Sequence, residues 1–169
     1  MQLKAQLPLQ RMAPEARHCY RFPDEIRDKA SSRDGERDAM TEEEAILAAN
    51  AAYYRAFRMG DDALMGRVWH DGAITCVHPG WPLIHGRAAV LASYRGIMSN
   101  PNQPEVACQE EQVFVTCDVA RVICVEAVAG VRLIATNLFL REGENWRMIH
   151  HQASLLTAPM MGQGSQSLN

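Results

Sequence analysis

Three residues of this chain combine a titratable side chain with an apolar setting that could tune it: His78, Glu126 and His151. A histidine changes charge near neutral pH and can both take and give a proton. His78 closes the apolar run Ala73-Ile74-Thr75-Cys76-Val77 and opens the segment His78-Pro79-Gly80-Trp81-Pro82. Proline fixes φ, and glycine reaches backbone angles closed to other residues, so this short loop can hold His78 and Trp81 in defined places. Glu126 lies inside Val122-Ile123-Cys124-Val125-Glu126-Ala127-Val128. A carboxyl buried there would have a raised pKa and could serve as a general base. If its face lies at a subunit interface instead, pairing with Arg121 or Arg132 is expected.

His150 and His151 are adjacent, so a strand sends them to opposite faces. The alternation sets Trp146, Met148, His150, Gln152 and Ser154 against Arg147, Ile149, His151, Ala153 and Leu155. The second set is mostly apolar, apart from Arg147, and favours His151 facing inward; His150 inward is the close alternative. Asn137 interrupts an apolar strand, where a buried amide must find partners. It could orient a ligand carbonyl or tie strands together, and buried polar groups more commonly do the latter. Tyr53, Tyr54, Trp69 and Trp81 could wall a ligand pocket, or serve as core aromatics. Combinations of His78, His85, His150 or His151 with Asp71 or Glu126 lack any recognised ligand spacing, such as H-E-x-x-H, so neither a metal nor a cofactor is expected.

The elements that must position these groups are legible. Thr41 with Glu44 reads as a capping box ahead of a helix running to Met59, with Gly60 as its stop and Asp61 as a fresh N-cap. A short second helix takes Leu64, Met65, Val68 and Trp69 to one side. A strand over 73–77 and the stiff loop lead to a third helix from near Arg87, with the stripe Val90, Leu91, Tyr94, Ile97 and Met98, ending at Ser99-Asn100-Pro101. Residues 105–116, 120–129, 131–141 and 145–156 then read as strands joined by hairpin-sized turns. The expected fold is α+β, with three helices on the concave side of a curved antiparallel sheet. The strands are apolar on both faces, so a second subunit is expected to cover the outer one.

Residues 1–39 hold both lysines of the chain, Lys4 and Lys29, with Pro8, Pro14 and Pro23 and few periodic apolar positions. They read as a flexible or partly helical extension outside a domain spanning 40–156, and 157–169 as a disordered tail. The N-terminus lacks the continuous apolar stretch of a secretory signal. The 169 residues suffice for one domain with a real core, and a net charge of −3 without a basic face argues against nucleic-acid binding. No apolar run approaches the ~20 residues that span a bilayer. Five cysteines, an odd number with no C-x-x-C pair, read as reduced thiols of a cytoplasmic protein.

Trp69, Cys76-Val77-His78-Pro79-Gly80-Trp81, Gly86-Arg87, Ala135-Thr136-Asn137-Leu138-Phe139 and Trp146-Arg147-Met148-Ile149-His150-His151-Gln152-Ala153-Ser154 occur in an order that resembles the SnoaL-like branch of the nuclear transport factor 2-like superfamily. The resemblance covers roughly residues 41–156. It implies a cystatin-like, cone-shaped domain whose open end forms an apolar pocket, usually as a dimer. The superfamily includes isomerases, cyclases, dehydratases, hydrolases and kinase association domains, so fold alone does not select among them. No counterpart of the ketosteroid isomerase arrangement, one Tyr with two Asp, is present. The expected function is binding of a small apolar ligand, with cofactor-free acid–base chemistry on a carbonyl-bearing substrate if the domain is an enzyme. There His78 or His151 would move the proton, Glu126 would be an alternative base, Asn137 would polarise a carbonyl, and Tyr54, Trp69, Trp81 and His150 would contact the ligand. The alternative is a non-enzymatic dimerisation module of the same fold.

Overall fold

A computed structural model describes residues 40–157. The expectations for 1–39 and for most of the tail lie outside the described residues. Three helices, α1 (Glu42–Met59), α2 (Asp62–Val68) and α3 (Arg87–Met98), accompany six strands: β1 (Thr75–Val77), β2 (Ile84–His85), β3 (Val106–Thr116), β4 (Val119–Val128), β5 (Val131–Glu142) and β6 (Asn145–Leu155). The strands form one sheet in the order β2-β1-β6-β5-β4-β3. No helix among the described residues is long and apolar enough to cross a membrane.

Local chemistry sets the helix ends. Thr41 Oγ1 accepts from the Glu44 amide at 3.2 Å, and the Glu44 carboxylate accepts the Thr41 amide at 2.7 Å, completing the capping box. Gly60 closes α1 at φ +62°, a left-handed conformation in which a Cβ would be strained. The Asp61 carboxylate caps α2 by accepting from the Leu64 amide at 2.8 Å. The other end of α2 is satisfied from a distance: the Arg87 guanidinium donates to the carbonyls of Gly66, Trp69 and His70 at 2.7–3.0 Å. Orphan C-terminal carbonyls of one helix are thus bonded by the first residue of another, which locks α2 to α3.

On α1, Ile46, Asn50, Tyr53, Tyr54 and Phe57 are buried at helical spacing and face the sheet. They meet Val122, Cys124, Ala135, Phe139, Met148 and Ala153 in a single core.

The sheet departs from the expected five-stranded antiparallel pattern in two ways. β1 runs parallel to β6, pairing Thr75 with His150 and Cys76 with His151. Ile84 and His85, expected in the loop, form a short strand antiparallel to β1. The stiff loop is therefore the connection of a hairpin. Within it the Trp81 amide donates to the His78 carbonyl at 2.9 Å, with Pro79 and Gly80 between and Gly80 at φ +78°, the pattern of a type II turn.

Two bulges re-aim side chains. In β6, Met148 pairs with Phe139 while His150 pairs with Leu138, leaving Ile149 as an extra residue. The inward parity consequently changes along the strand: Trp146 and Met148 are buried before the bulge, and His151 and Ala153 after it. In β3, Glu110 and Glu111 together oppose Cys124, with Glu110 at φ +55°.

Thr41→Ala removes the capping box and is expected to lower stability by about 1 kcal/mol, read as a reduced urea midpoint at unchanged slope.

Candidate active site

A cavity of about 220 Å3 opens between α1, α3, the type II turn and the inner face of the sheet; its walls include Tyr53, Tyr54, Phe57, His78, Trp81, Tyr94, Glu126 and His151. Pro79, Ile97, Pro104, Val106, Val128 and Leu133 make the remainder apolar. The β6 bulge turns His151 into this space and β4 alternation does the same for Glu126; both are nearly inaccessible, at 3% and 4% exposure. Glu126 is not an interface residue paired with arginine. Arg132 binds Glu110 at 2.7 Å, and Arg121 lies over the Phe114 ring.

The two groups hang from one buried polar network. Tyr54 donates its hydroxyl proton to Glu126 Oε1 at 2.8 Å. Asn137, fully buried, donates through Nδ2 to the Tyr54 oxygen at 3.2 Å and to Asn50 Oδ1 at 2.7 Å. Its Oδ1 lies 2.7 Å from His151 Nδ1. A carboxamide oxygen only accepts, so His151 carries its proton on Nδ1 and leaves the Nε2 lone pair unprotonated. His78 has the opposite tautomer. Ser93 Oγ donates to the Val90 carbonyl at 2.8 Å and therefore accepts from His78 Nε2–H at 3.0 Å. Tyr53 and Tyr94 share a hydroxyl–hydroxyl bond of 2.9 Å, and Cys76 Sγ lies 3.4 Å from the Tyr94 oxygen. One of the two phenolic protons closes that bond; the other is available to an acceptor.

Burial drives the protonation states. It pushes His151 down to about 3, assisted by the nearby His78 and His150, and it lowers His78 as well. Burial raises Glu126 from its ordinary value, although the bond from Tyr54 opposes the rise. It also raises Tyr53, Tyr54 and Tyr94, which remain neutral phenols. Burial thus disfavours the charged form of both groups, which shifts the imidazole down and the carboxyl up.

Of the eight sequence candidates, His78, Glu126, His151, Tyr54 and Trp81 line the cavity; Trp81 stands at its rim, 49% exposed, with its ring edge-to-face against His78 at 5.1 Å. Three do not. Trp69 is fully buried beside Tyr94, where its indole completes the core, so it is not a ligand contact. His150 points to the opposite face and bonds Thr75 Oγ1 at 2.7 Å, a consequence of the parallel β1–β6 pairing. Asn137 lies behind the cavity wall, and both of its N–H groups are occupied, so it cannot polarise a substrate carbonyl. Sequence reasoning missed Asn50, Tyr94 and Ser93 as site residues, whereas Tyr53, weighed as a pocket wall, does line the cavity. An asparagine on the apolar face of α1 was the available signal for Asn50. Tyr94 was indistinguishable from an ordinary core aromatic. Among the described residues, no three His, Cys, Asp or Glu side chains gather as a metal site.

A family model for the SnoaL-like domain matches residues 46–159. The chain belongs to the SnoaL-like family. Similar solved structures include a protein of the nuclear transport factor 2-like family from Streptomyces avermitilis, provisionally named a dehydratase, which is 32% identical over 68% of this chain and 96% of that one, with a TM-score of 0.63. A provisionally named calcium/calmodulin-dependent protein kinase type II association domain from Thiobacillus denitrificans is 29% identical over 65% of this chain and 94% of that one, with a TM-score of 0.59. A nuclear transport factor 2-like protein with a cystatin-like fold from Novosphingobium aromaticivorans is 23% identical over 70% and 84%, with a TM-score of 0.55, and shows the fold alone. No functionally curated protein matches the sequence significantly. This SnoaL-like domain accordingly has the cystatin-like α+β architecture, a curved sheet with three helices.

The depressed His151 pKa has a thermodynamic consequence. The folded state holds the imidazole neutral, whereas the unfolded chain protonates it near pH 6.5. The stabilising contribution is complete above about 6.5 and is lost as pH falls toward about 3. Glu126 acts in the other direction: its raised pKa favours the fold most below the ordinary carboxyl value of 4.5, and that contribution declines as pH rises toward the folded pKa. Urea midpoints are expected to fall between pH 6.5 and 4, with a shallower fall in His151→Gln, whose amide can still donate to Asn137.

Proposed function

We propose that this SnoaL-like domain is a cofactor-free acid–base enzyme acting on a small, largely apolar carbonyl compound, and that its reaction is elimination of water from a β-hydroxy carbonyl substrate. One observation carries the reading: Glu126 and His151, both buried, enter the same apolar cavity from opposite arms of the Tyr54–Asn137 bridge, one biased toward its acid form and the other toward its base form. Pairs of titratable groups whose environments push their pKa values apart divide naturally into acid and base. The 32% identity to the provisionally named dehydratase points the same way.

In this mechanism the His151 Nε2 lone pair removes the proton on the carbon beside the carbonyl. The electron pair of that C–H bond becomes the new C=C bond, the C–O bond to the β-hydroxyl breaks, and Glu126 protonates the departing oxygen as water. The resulting imidazolium is disfavoured by burial, but the carboxylate formed at Glu126 compensates it. Proton return from His151 to Glu126, through a water entering as product leaves, resets the site. The spare phenolic proton of the Tyr53–Tyr94 pair can meet the carbonyl oxygen as negative charge develops there. A cavity of about 220 Å3 lies below the roughly 300 Å3 of ordinary drug-sized sites, which favours a single ring or a short chain.

Incubating the protein with short β-hydroxy thioesters and β-hydroxy ketones in D2O, followed by NMR, tests the assignment. Dehydration or deuterium uptake at the carbon beside the carbonyl is expected, with Glu126→Gln lowering kcat by about 10²–10⁴. Undiminished turnover in Glu126→Gln would remove it from the chemistry.

We also propose that a second copy covers the face of the sheet turned away from the helices. Phe114, Val119 and Ile134 expose 42%, 37% and 37% of their surface on that face. The 29% identity to an association domain favours the same use of the fold. Light scattering is expected to report a dimer at micromolar concentration and a monomer for Ile134→Glu; a monomeric wild type would refute the proposal.

A further inference from the structure

We propose that Glu111, outside the cavity on the sheet-edge strand β3, is a positioning residue that determines which nitrogen of His151 carries the proton. The β3 bulge turns this carboxylate toward α1, where Oε1 accepts from Asn50 Nδ2 at 2.6 Å. It occupies a surface groove with Arg55, Arg58 and Cys108, so it remains in contact with solvent. From there a directional chain runs inward. A carboxylate offers no donor, so Asn50 must turn its NH2 outward and its Oδ1 inward. Asn50 Oδ1 then receives Asn137 Nδ2 at 2.7 Å, and Asn137 must turn its own Oδ1 toward His151, at 2.7 Å from Nδ1. Both amides are fully buried, so neither can exchange a lost partner for bulk water. The proton on His151 Nδ1, and hence the unprotonated Nε2, follows from a carboxylate three hydrogen bonds away.

The other arm of the network explains why such an anchor is useful. Glu126 also orients Asn137, through Tyr54, as long as it accepts the Tyr54 proton. In the proposed reaction Glu126 changes protonation state, so its hold on the network changes within each turnover. Glu111 takes no part in the reaction and keeps the amides pointing one way throughout. The effect on rate rests on the proposed roles of Glu126 and His151, whereas the tautomer assignment rests on the hydrogen bonds alone.

Long-range 1H–15N correlation spectra of 15N-histidine-labelled full-length protein at pH 7 provide the test, with His151 assigned by its loss in His151→Gln. In the wild type, Nδ1 is expected to be protonated and Nε2 not. Glu111→Leu removes the acceptor, and the two ring 15N shifts of His151 should move toward each other as the second tautomer becomes populated. The convergence should be larger in Glu111→Leu/Glu126→Leu, where both terminal acceptors are gone, and smaller in Glu111→Gln, which keeps an acceptor oxygen. Unchanged wild-type shifts for the other histidines serve as the folding control. On the proposed substrate class, Glu111→Leu should lower kcat about tenfold at nearly constant KM, in the range that outer partners of a functional histidine supply. An Nε2–H tautomer in the wild type, or identical His151 shifts in all three variants, would overturn the inference. Converging shifts with undiminished kcat would uphold the positioning role and instead refute His151 as the base.

Discussion

Asn137 is the constraint on which the interior depends. A carboxamide buried without water must satisfy two donors and one acceptor, and leaving any of them unpaired costs about 1–3 kcal/mol. Its partners are a helix residue, Asn50, a phenol on the same helix, Tyr54, and a histidine on the neighbouring strand, His151. These bonds fix the height of α1 over the sheet and the rotation of two side chains at the cavity wall. Apolar contacts alone would tolerate small slides of the helix, since dispersion is non-directional. The amide does not tolerate them. The feature that aligns α1 with the sheet is therefore also the one that sets the protonation of the cavity groups.

Around this amide the cavity disfavours charge on its titratable groups. Dry walls of Phe57, Val128 and Leu133 oppose charge on either Glu126 or His151, and the two respond in opposite senses because one is an acid and the other a base. The same burial that would be a liability in a plain core biases the carboxyl toward its acid form and the imidazole toward its base form. His78 has a different support, the Ser93 hydroxyl and the type II turn, and its tautomer differs from that of His151. The two histidines thus differ in tautomer although they share one space.

The helices and the four long strands were legible because their signals are local. Thr41 with Glu44, Gly60, Asp61 and Pro101 act on the backbone within a few residues, and the structure uses the first three as caps. What periodicity could not deliver was the parity of β6. Strict alternation allows either Trp146 and Met148 or His151 and Ala153 to face inward, never both. The extra residue at Ile149 admits both sets to the core, and no turn residue marks it. Likewise β2 is only two residues long, and its pairing with β1 depends on the turn between them, so Ile84 and His85 gave no strand signal of their own.

For the candidate site, the sequence by itself determined the chemical inventory: a carboxyl and histidines set among apolar residues, a stiff loop carrying His78 and Trp81, and the elements that bear them. It also determined the family, through an ordered set of short motifs. Only the tertiary structure decided which groups meet. Asn50 and Asn137 are 87 residues apart and Tyr54 and Glu126 are 72 apart, so their encounters follow from the packing of α1 across the sheet rather than from any spacing along the chain. Trp69 and His150 were excluded from the cavity by the same packing, one because it fills the core and the other because a single inserted residue turned its neighbour inward. Local propensities select elements, but the direction in which a side chain finally points is a property of the register between elements that are distant in sequence.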